Sequence, residues 1–199
     1  YPAFTMELGP REKFIQTLND AIKDKKLQIT KNPLGGYDIV ADGTQILTVE
    51  DGEFVNINLP DADTIDLAQL NNLRGTLDFS NVKNLYLASS NLAQVAEIHF
   101  NPNANMVHLM NVSDIPPMPS GTVDFSGVEY LKLSYIRPRT QATSFITLPR
   151  NAKNIDINGL RGWELGGDVD ISNANIATIV DAPMTQVSNI RFNPKAYML

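Results

Sequence analysis

Gly75-Thr76-Leu77-Asp78-Phe79-Ser80 returns as Gly121-Thr122-Val123-Asp124-Phe125-Ser126 and again as Gly167-Asp168-Val169-Asp170-Ile171-Ser172, each copy displaced by 46 residues. An interval that holds twice, in a chain without low-complexity composition, marks a polypeptide that winds into stacked units. A second element keeps the same clock. His99-Phe100-Asn101-Pro102 and Arg191-Phe192-Asn193-Pro194 lie 92 residues apart, twice that interval.

Around these anchors, short apolar-x-apolar triplets run in two alternating series. The first is Ile57-Asn58-Leu59, Leu77-Asp78-Phe79, Ile98-His99-Phe100, Val123-Asp124-Phe125, Ile146-Thr147-Leu148, Val169-Asp170-Ile171 and Ile190-Arg191-Phe192, spaced by 20 to 25 residues. The second is Ile65-Asp66-Leu67, Leu85-Tyr86-Leu87, Val107-His108-Leu109, Leu131-Lys132-Leu133, Ile155-Asp156-Ile157 and Ala177-Thr178-Ile179. Because alternate side chains of a strand face opposite ways, the outer residues of each triplet point inward and the middle one points to solvent. Stacking turn on turn pairs each strand with its equivalent in parallel, at about 4.8 Å. The expected fold is mainly β: a parallel β-solenoid of about seven turns over 53–199, two sheets around an apolar spine. Prolines 60, 102, 149 and 194, or a Gly or Ser after the first strand, are expected at the corners.

Residues 1–52 do not share the repeat. Phe14, Ile15, Leu18, Ala21 and Ile22 fall at helical spacing between 10 and 25. Afterwards the period changes to two, in segments 27–30, 37–41 and 45–49 separated by Asn-Pro-Leu-Gly-Gly and Ala-Asp-Gly-Thr. A small α+β cap, one helix plus a β-meander, is expected to cover one end of the stack.

Composition excludes several classes of function. Net charge of −6 and pI near 4.8 disfavour nonspecific binding to nucleic acid or anionic lipid. With no cysteine and two histidines, neither disulfides nor thiolate or multi-histidine metal sites are expected. No apolar run reaches the roughly 18 residues of a membrane-spanning helix. A removed leader and a trimmed terminus both fit a chain that opens with Tyr1. Asn111-Val112-Ser113 fits an N-glycosylation acceptor, a pattern common by chance.

Val82-Lys83-Asn84-Leu85-Tyr86-Leu87 with Leu92 resembles the leucine-rich repeat. Ile146-Thr147-Leu148-Pro149 running into Ile155-Asp156-Ile157 resembles the bacterial surface subclass of that family, often called BspA-like. The resemblance covers roughly 55–199 and implies a protein-binding, cell-surface or secreted bacterial protein. One departure stands out. The family's inward asparagine should fall near Ser90, Val112, Ile136, Leu160 and Ala182, and none of these is Asn. A straighter β-solenoid therefore stays open beside the curved horseshoe.

Two sets of residues are candidates for contact. Tyr86, His108 and Lys132 stand in the outward column of the second series, the sheet that the resemblance turns toward a partner. Three loops after consecutive second strands, 110–121, 134–144 and 158–167, bring Pro117, Met118, Tyr135, Arg137, Arg139, Arg161 and Trp163 together, and Arg, Tyr, Trp and Met are enriched in binding hot spots. If Trp163 makes contacts, its removal weakens capture and leaves stability intact. If it plugs the core, removal costs several kcal/mol.

The expected function is a non-catalytic scaffold that binds a protein, or a glycan, with no cofactor. Two alternatives follow from the same residues. A polysaccharide lyase or hydrolase would draw on Asp124, Asp170, Lys132 and Arg139. A structural piece of a longer surface protein would explain why the chain stops at Met198-Leu199, where another second-series strand should begin.

Overall fold

The computed structural model describes residues 13, 27–41, 44–49, 55–56, 74–140 and 144–192. The helix expected over 10–25 lies outside these residues, apart from Lys13, which is helical. So do Asn58 and Asp66 of the first expected turn, and Asn193 to Leu199.

The period-two segments near the start form strands β1 (Leu27–Lys31), β2 (Tyr37–Ala41) and β3 (Thr44–Val49), paired antiparallel in that order. Between β1 and β2, Asn32 Oδ1 accepts from the backbone N–H groups of Leu34 and Gly36, both at 3.0 Å. This is the side-chain mimicry of a turn that makes Asn common there. Strand β1 lies beside β5, the first described strand of the solenoid's own first series.

The rest is a parallel β-solenoid. Six strands form one sheet in the order β14-β12-β10-β8-β6-β4: β4 (Val55–Asn56), β6 (Asn84–Asn91), β8 (Met106–Ser113), β10 (Tyr130–Ser134), β12 (Asn154–Asn158) and β14 (Ile176–Val180). The first series supplies β5 (Gly75–Asp78), β7 (Val95–His99), β9 (Thr122–Asp124), β11 (Ser144–Thr147), β13 (Trp163–Ile171) and β15 (Gln186–Phe192). Among the described residues this gives about five turns, fewer than the seven expected. One reason is that the place foreseen for Asp66 is taken by Asn56, which pairs with Tyr86.

The alternation reads as expected on β6, β8, β10 and β12 of the second sheet, whereas edge strand β14 leaves Ala177, expected inward, exposed. Leu85, Leu87, Val107, Leu109, Leu131, Leu133, Ile155 and Ile157 are buried while the residues between them are half-exposed. Across the spine they meet Leu77, Phe79, Val123, Phe125, Ile146, Leu148 and Val169 in a single continuous core.

The 46-residue motif is a corner. Gly75 and Gly121 both carry φ of 75° and Gly167 carries 110°, conformations that a side chain strains, so glycine opens each copy. Three positions later an aspartate turns the chain. Asp78 Oδ1 accepts from the Ser80 N–H (3.0 Å) and hydroxyl (2.6 Å), Asp124 from the Ser126 N–H (2.9 Å), and Asp170 from the Ser172 N–H (3.0 Å) and hydroxyl (2.5 Å). The three acids therefore share one task. Replacing Asp78 with Ala is expected to cost about 1–2 kcal/mol, and Asp78→Asn less, because an amide oxygen still accepts; thermal unfolding of the three proteins checks the order.

The column of first-series middle residues is less continuous than expected. Asp78 pairs with His99, Asp124 with Thr147 and Asp170 with Arg191. However, Thr147 is followed by Gly166, and Asp170 sits beside Asn151. The chain from Leu148 to Asn151 runs past the point where Phe125-Ser126 turns, so this rung corners later and the nine-residue β13 covers it. Strands β7 and β9 are not paired, which divides the series into a two-stranded and a four-stranded sheet.

A second corner bends each rung of the second sheet from β6 to β14. Ser89, Asn111, Tyr135 and Asp181 have φ between 50° and 52°, and Gly159 has 67°. They fall on consecutive rungs and stack into a ridge of left-handed residues. The next residue in each case is Ser90, Val112, Ile136, Leu160 or Ala182, the positions at which the resemblance expects asparagine. Ser90, Val112, Ile136 and Leu160 are buried, and Ala182 packs on the core. Here the bend is made by backbone conformation, and the interior is apolar except for Ser90, whose hydroxyl donates to the Ala88 carbonyl.

Candidate functional site

In register across the second sheet, Asn56, Tyr86, His108, Lys132, Asp156 and Thr178 form one line. The three contact candidates in it, Tyr86, His108 and Lys132, are thus brought onto adjacent strands. Two residues away on either side, the same face carries Met106, Met110 and Tyr130, each half-exposed. These three lie outside the candidate contact residues. Period two was the signal for them: if His108 faces out, so do Met106 and Met110.

The side chains on this face are organised. The Tyr86 and His108 rings lie 5.5 Å apart, tilted by 57°, and the Tyr86 hydroxyl donates to Met110 Sδ at 3.6 Å. At the margin Lys153 pairs with Glu129 (3.1 Å) and stands 5.9 Å above the Tyr130 ring. Burial, and then the neighbouring Lys132 ammonium, hold the His108 imidazole below the ordinary histidine range, against a smaller opposite pull from Asp156.

That depression has a sign for stability. Above the unfolded pKa of about 6.5 both states leave His108 neutral; below it the unfolded chain takes up a proton that the folded one resists. Stability is therefore lost as pH falls from about 6.5 toward the folded pKa. The melting temperature of the native protein is expected to drop more between about pH 7.5 and pH 5 than that of His108→Gln. Equal drops would mean that the imidazole titrates normally.

The loop candidates separate. Tyr135 is 57% exposed at the ridge, accepts a hydrogen bond from Asn158 Nδ2 (3.3 Å), and covers Gly159 so closely that a Cβ there would lie 2.5 Å from its Cδ1. Every other rung places Ser, Asn, Asp or Gly at this bend, residues that tolerate a positive φ; a bulky ring held there is unusual. Arg137 is exposed, and Arg161 is exposed and paired with Asp181 at 3.3 Å. Pro117 is exposed, while Met118 packs partly on the core.

Two candidates are not surface contacts. Trp163 is 3% exposed, inside the core, and its Nε1 donates to the Ile136 carbonyl at 3.2 Å. Arg139 reaches back two rungs and donates through one guanidinium nitrogen to the carbonyls of Leu92 and Val95, the latter at 2.6 Å. Its Nε is buried without a partner. The sequence could place both in loops but not tell which loop side chains turn inward.

The residues drawn on for a lyase are not gathered either. Lys132 is in the middle of the second sheet, Arg139 is committed to carbonyls, and Asp124 and Asp170 hold corners of the first series on different rungs. The corner hydrogen bonds from Ser172, and the nearby Arg191 guanidinium, hold the Asp170 carboxyl below the usual carboxylate range. Such a group is a settled anion and a poor proton donor. Among the described residues no three His, Asp or Glu side chains gather to hold a metal ion, and no helix is long and apolar enough to cross a membrane. Comparison of this chain with protein-family models, with curated proteins and with solved structures finds no match.

Proposed function

We propose that this protein is a non-catalytic recognition scaffold that holds a protein partner on the outer face of its second sheet. The observation that carries the reading is the in-register row Tyr86, His108, Lys132 and Asp156, flanked by Met106, Met110 and Tyr130. Tyrosine and methionine are enriched at interface centres, where they bury large areas at modest entropic expense. The hydrogen-bonded sheet beneath fixes their separations before any partner arrives, so little freedom is left to lose on binding. Tyr135 and Arg137 extend the same surface past the ridge.

The leucine-rich-repeat pattern of 82–95 and 146–157 supports this reading, because that family presents the equivalent sheet to its partners. Kinship with its bacterial surface subclass, and with it an extracellular or cell-surface location, forms part of the proposal.

The test is capture from an extract of the source organism on immobilised protein. A Tyr86→Ala/Lys132→Ala variant is expected to weaken capture at least about tenfold, the equivalent of about 1.4 kcal/mol. Thr122→Ala, on the other sheet, should leave it unchanged. If both proteins capture as the parent does, with native circular dichroism, the second sheet is not the binding face.

A further inference from the structure

Charge is segregated between the two sides of the solenoid. The segments that build the second sheet and its margins (83–91, 105–113, 129–139, 153–161 and 175–181) carry Lys83, Lys132, Arg137, Arg139, Lys153 and Arg161 against Glu129, Asp156 and Asp181, which leaves +3. Those of the first series (74–80, 95–100, 121–126, 144–150, 163–172 and 186–192) carry three arginines and six acids, which leaves −3. Counting Asp114, which precedes Ile115 as Arg137 precedes its partner Pro138, and leaving out Arg139, which turns inward, brings the second-sheet total to +1. In a chain of net −6, the candidate binding face is thus the more cationic of the two.

Pairing sharpens the contrast. Two of the three acids beside the second sheet are already engaged, Glu129 with Lys153 and Asp181 with Arg161. Lys83, Lys132 and Arg137 have no ion-pair partner within salt-bridge distance among the described residues. At physiological salt a charge is felt over about 8 Å, so a partner on this face meets these cations rather than the acids of the opposite side.

From this arrangement, and resting on the reading of the second sheet as the binding face, we infer that the bound element is an acidic polypeptide segment that also carries apolar side chains. Acidic groups would answer Lys83, Lys132 and Arg137. Apolar side chains would cover the half-exposed Met106, Met110 and Tyr130, and methionine adapts its shape to whatever packs on it. A nucleic acid or an acidic polysaccharide supplies the first without the second. The first sheet of another copy is acidic, but the middle residues paired there are Asp78 with His99 and Asp124 with Thr147, which offer the methionines no apolar partner.

Fluorescence anisotropy with short labelled peptides tests the inference. One peptide alternates Glu or Asp with Leu and Phe; a second replaces its acids with Lys; a third keeps the acids and replaces Leu and Phe with Ser; a single-stranded oligonucleotide is the fourth probe. The acidic apolar peptide is expected to bind at least about tenfold more tightly than each of the others at about 0.15 M salt. Lys132→Glu should abolish that preference, and Thr122→Ala should not. Equal binding of the oligonucleotide, failure of the acidic apolar peptide to bind, or self-association in sedimentation that saturates the face would each overturn it. If the Lys peptide is preferred and Tyr86→Ala still weakens it, the face binds polypeptide but not an acidic one, so this inference falls and the proposed function stands. If neither peptide binding nor extract capture responds to Tyr86→Ala, both fall.

Discussion

Trp163→Ala is expected to destabilise the protein by about 3–5 kcal/mol, the range for emptying a large aromatic site in a packed core. At 3% exposure the indole leaves almost none of its surface in water. Its neighbours belong to a stack of strands that cannot move inward without breaking register, so the cavity relaxes little. The indole N–H adds a second loss, since it donates to the Ile136 carbonyl beside the left-handed bend at Tyr135. Trp163→Phe separates the two: the ring volume is largely kept and the hydrogen bond, worth about 1 kcal/mol, is removed. Denaturant titration of the three proteins measures both steps. An unchanged midpoint for Trp163→Ala would return the indole to the surface and contradict its placement here.

Arg139→Ala is expected to cost about 2–4 kcal/mol. Hydrogen bonds from a charged donor are worth about 1.5–3 kcal/mol, and this guanidinium serves two carbonyls. Those carbonyls, at Leu92 and Val95, belong to a rung two removed from its own, with Ile115 between, whose carbonyl accepts the Arg139 N–H at 2.8 Å. Arg139 thus ties three successive turns together at a loop where regular strand pairing lapses. Arg139→Lys should recover less than half of the loss, because an ammonium on a flexible stem gives up more freedom for each hydrogen bond than the rigid guanidinium does. A salt titration adds a check: the bonds are partly buried, so high ionic strength should alter the mutant's deficit little. A deficit that vanishes in salt would mean an ordinary solvated arginine.

Much of the fold could be read from the triplets, because a two-residue alternation on a fixed clock leaves one consistent way to bury Leu85, Leu87, Val107 and Leu109 together. Tyr86, His108 and Lys132 follow from the same rule, since each sits between two buried neighbours. Where the period lapsed, the reading lost its grip. Thr147 and Asp170 look equivalent in sequence, yet the late corner at Leu148–Asn151 moves Asp170 beside Asn151, and nothing in the triplet pattern encodes where a rung turns. The corner aspartates were visible as a motif, but their role depends on an N–H two residues on, a local bond that reads as a charged surface column until the turn is seen. Trp163 and Arg139 were misplaced for a related reason: side chains in aperiodic loops have no alternation to say which way they face.

The ridge of left-handed residues on successive turns, with corner aspartates on three of them, lets each turn encode its bends in its own residues and, Arg139 apart, keeps its neighbours in space one lap away along the chain. Such a molecule is mechanically anisotropic. Stretched along its stacking axis from the two ends, it would shed laps singly, each giving way once its next neighbour has gone. Sheared along the strand direction, so that one lap slides over the next, it would load all the backbone bonds between two laps at once and hold to a higher force.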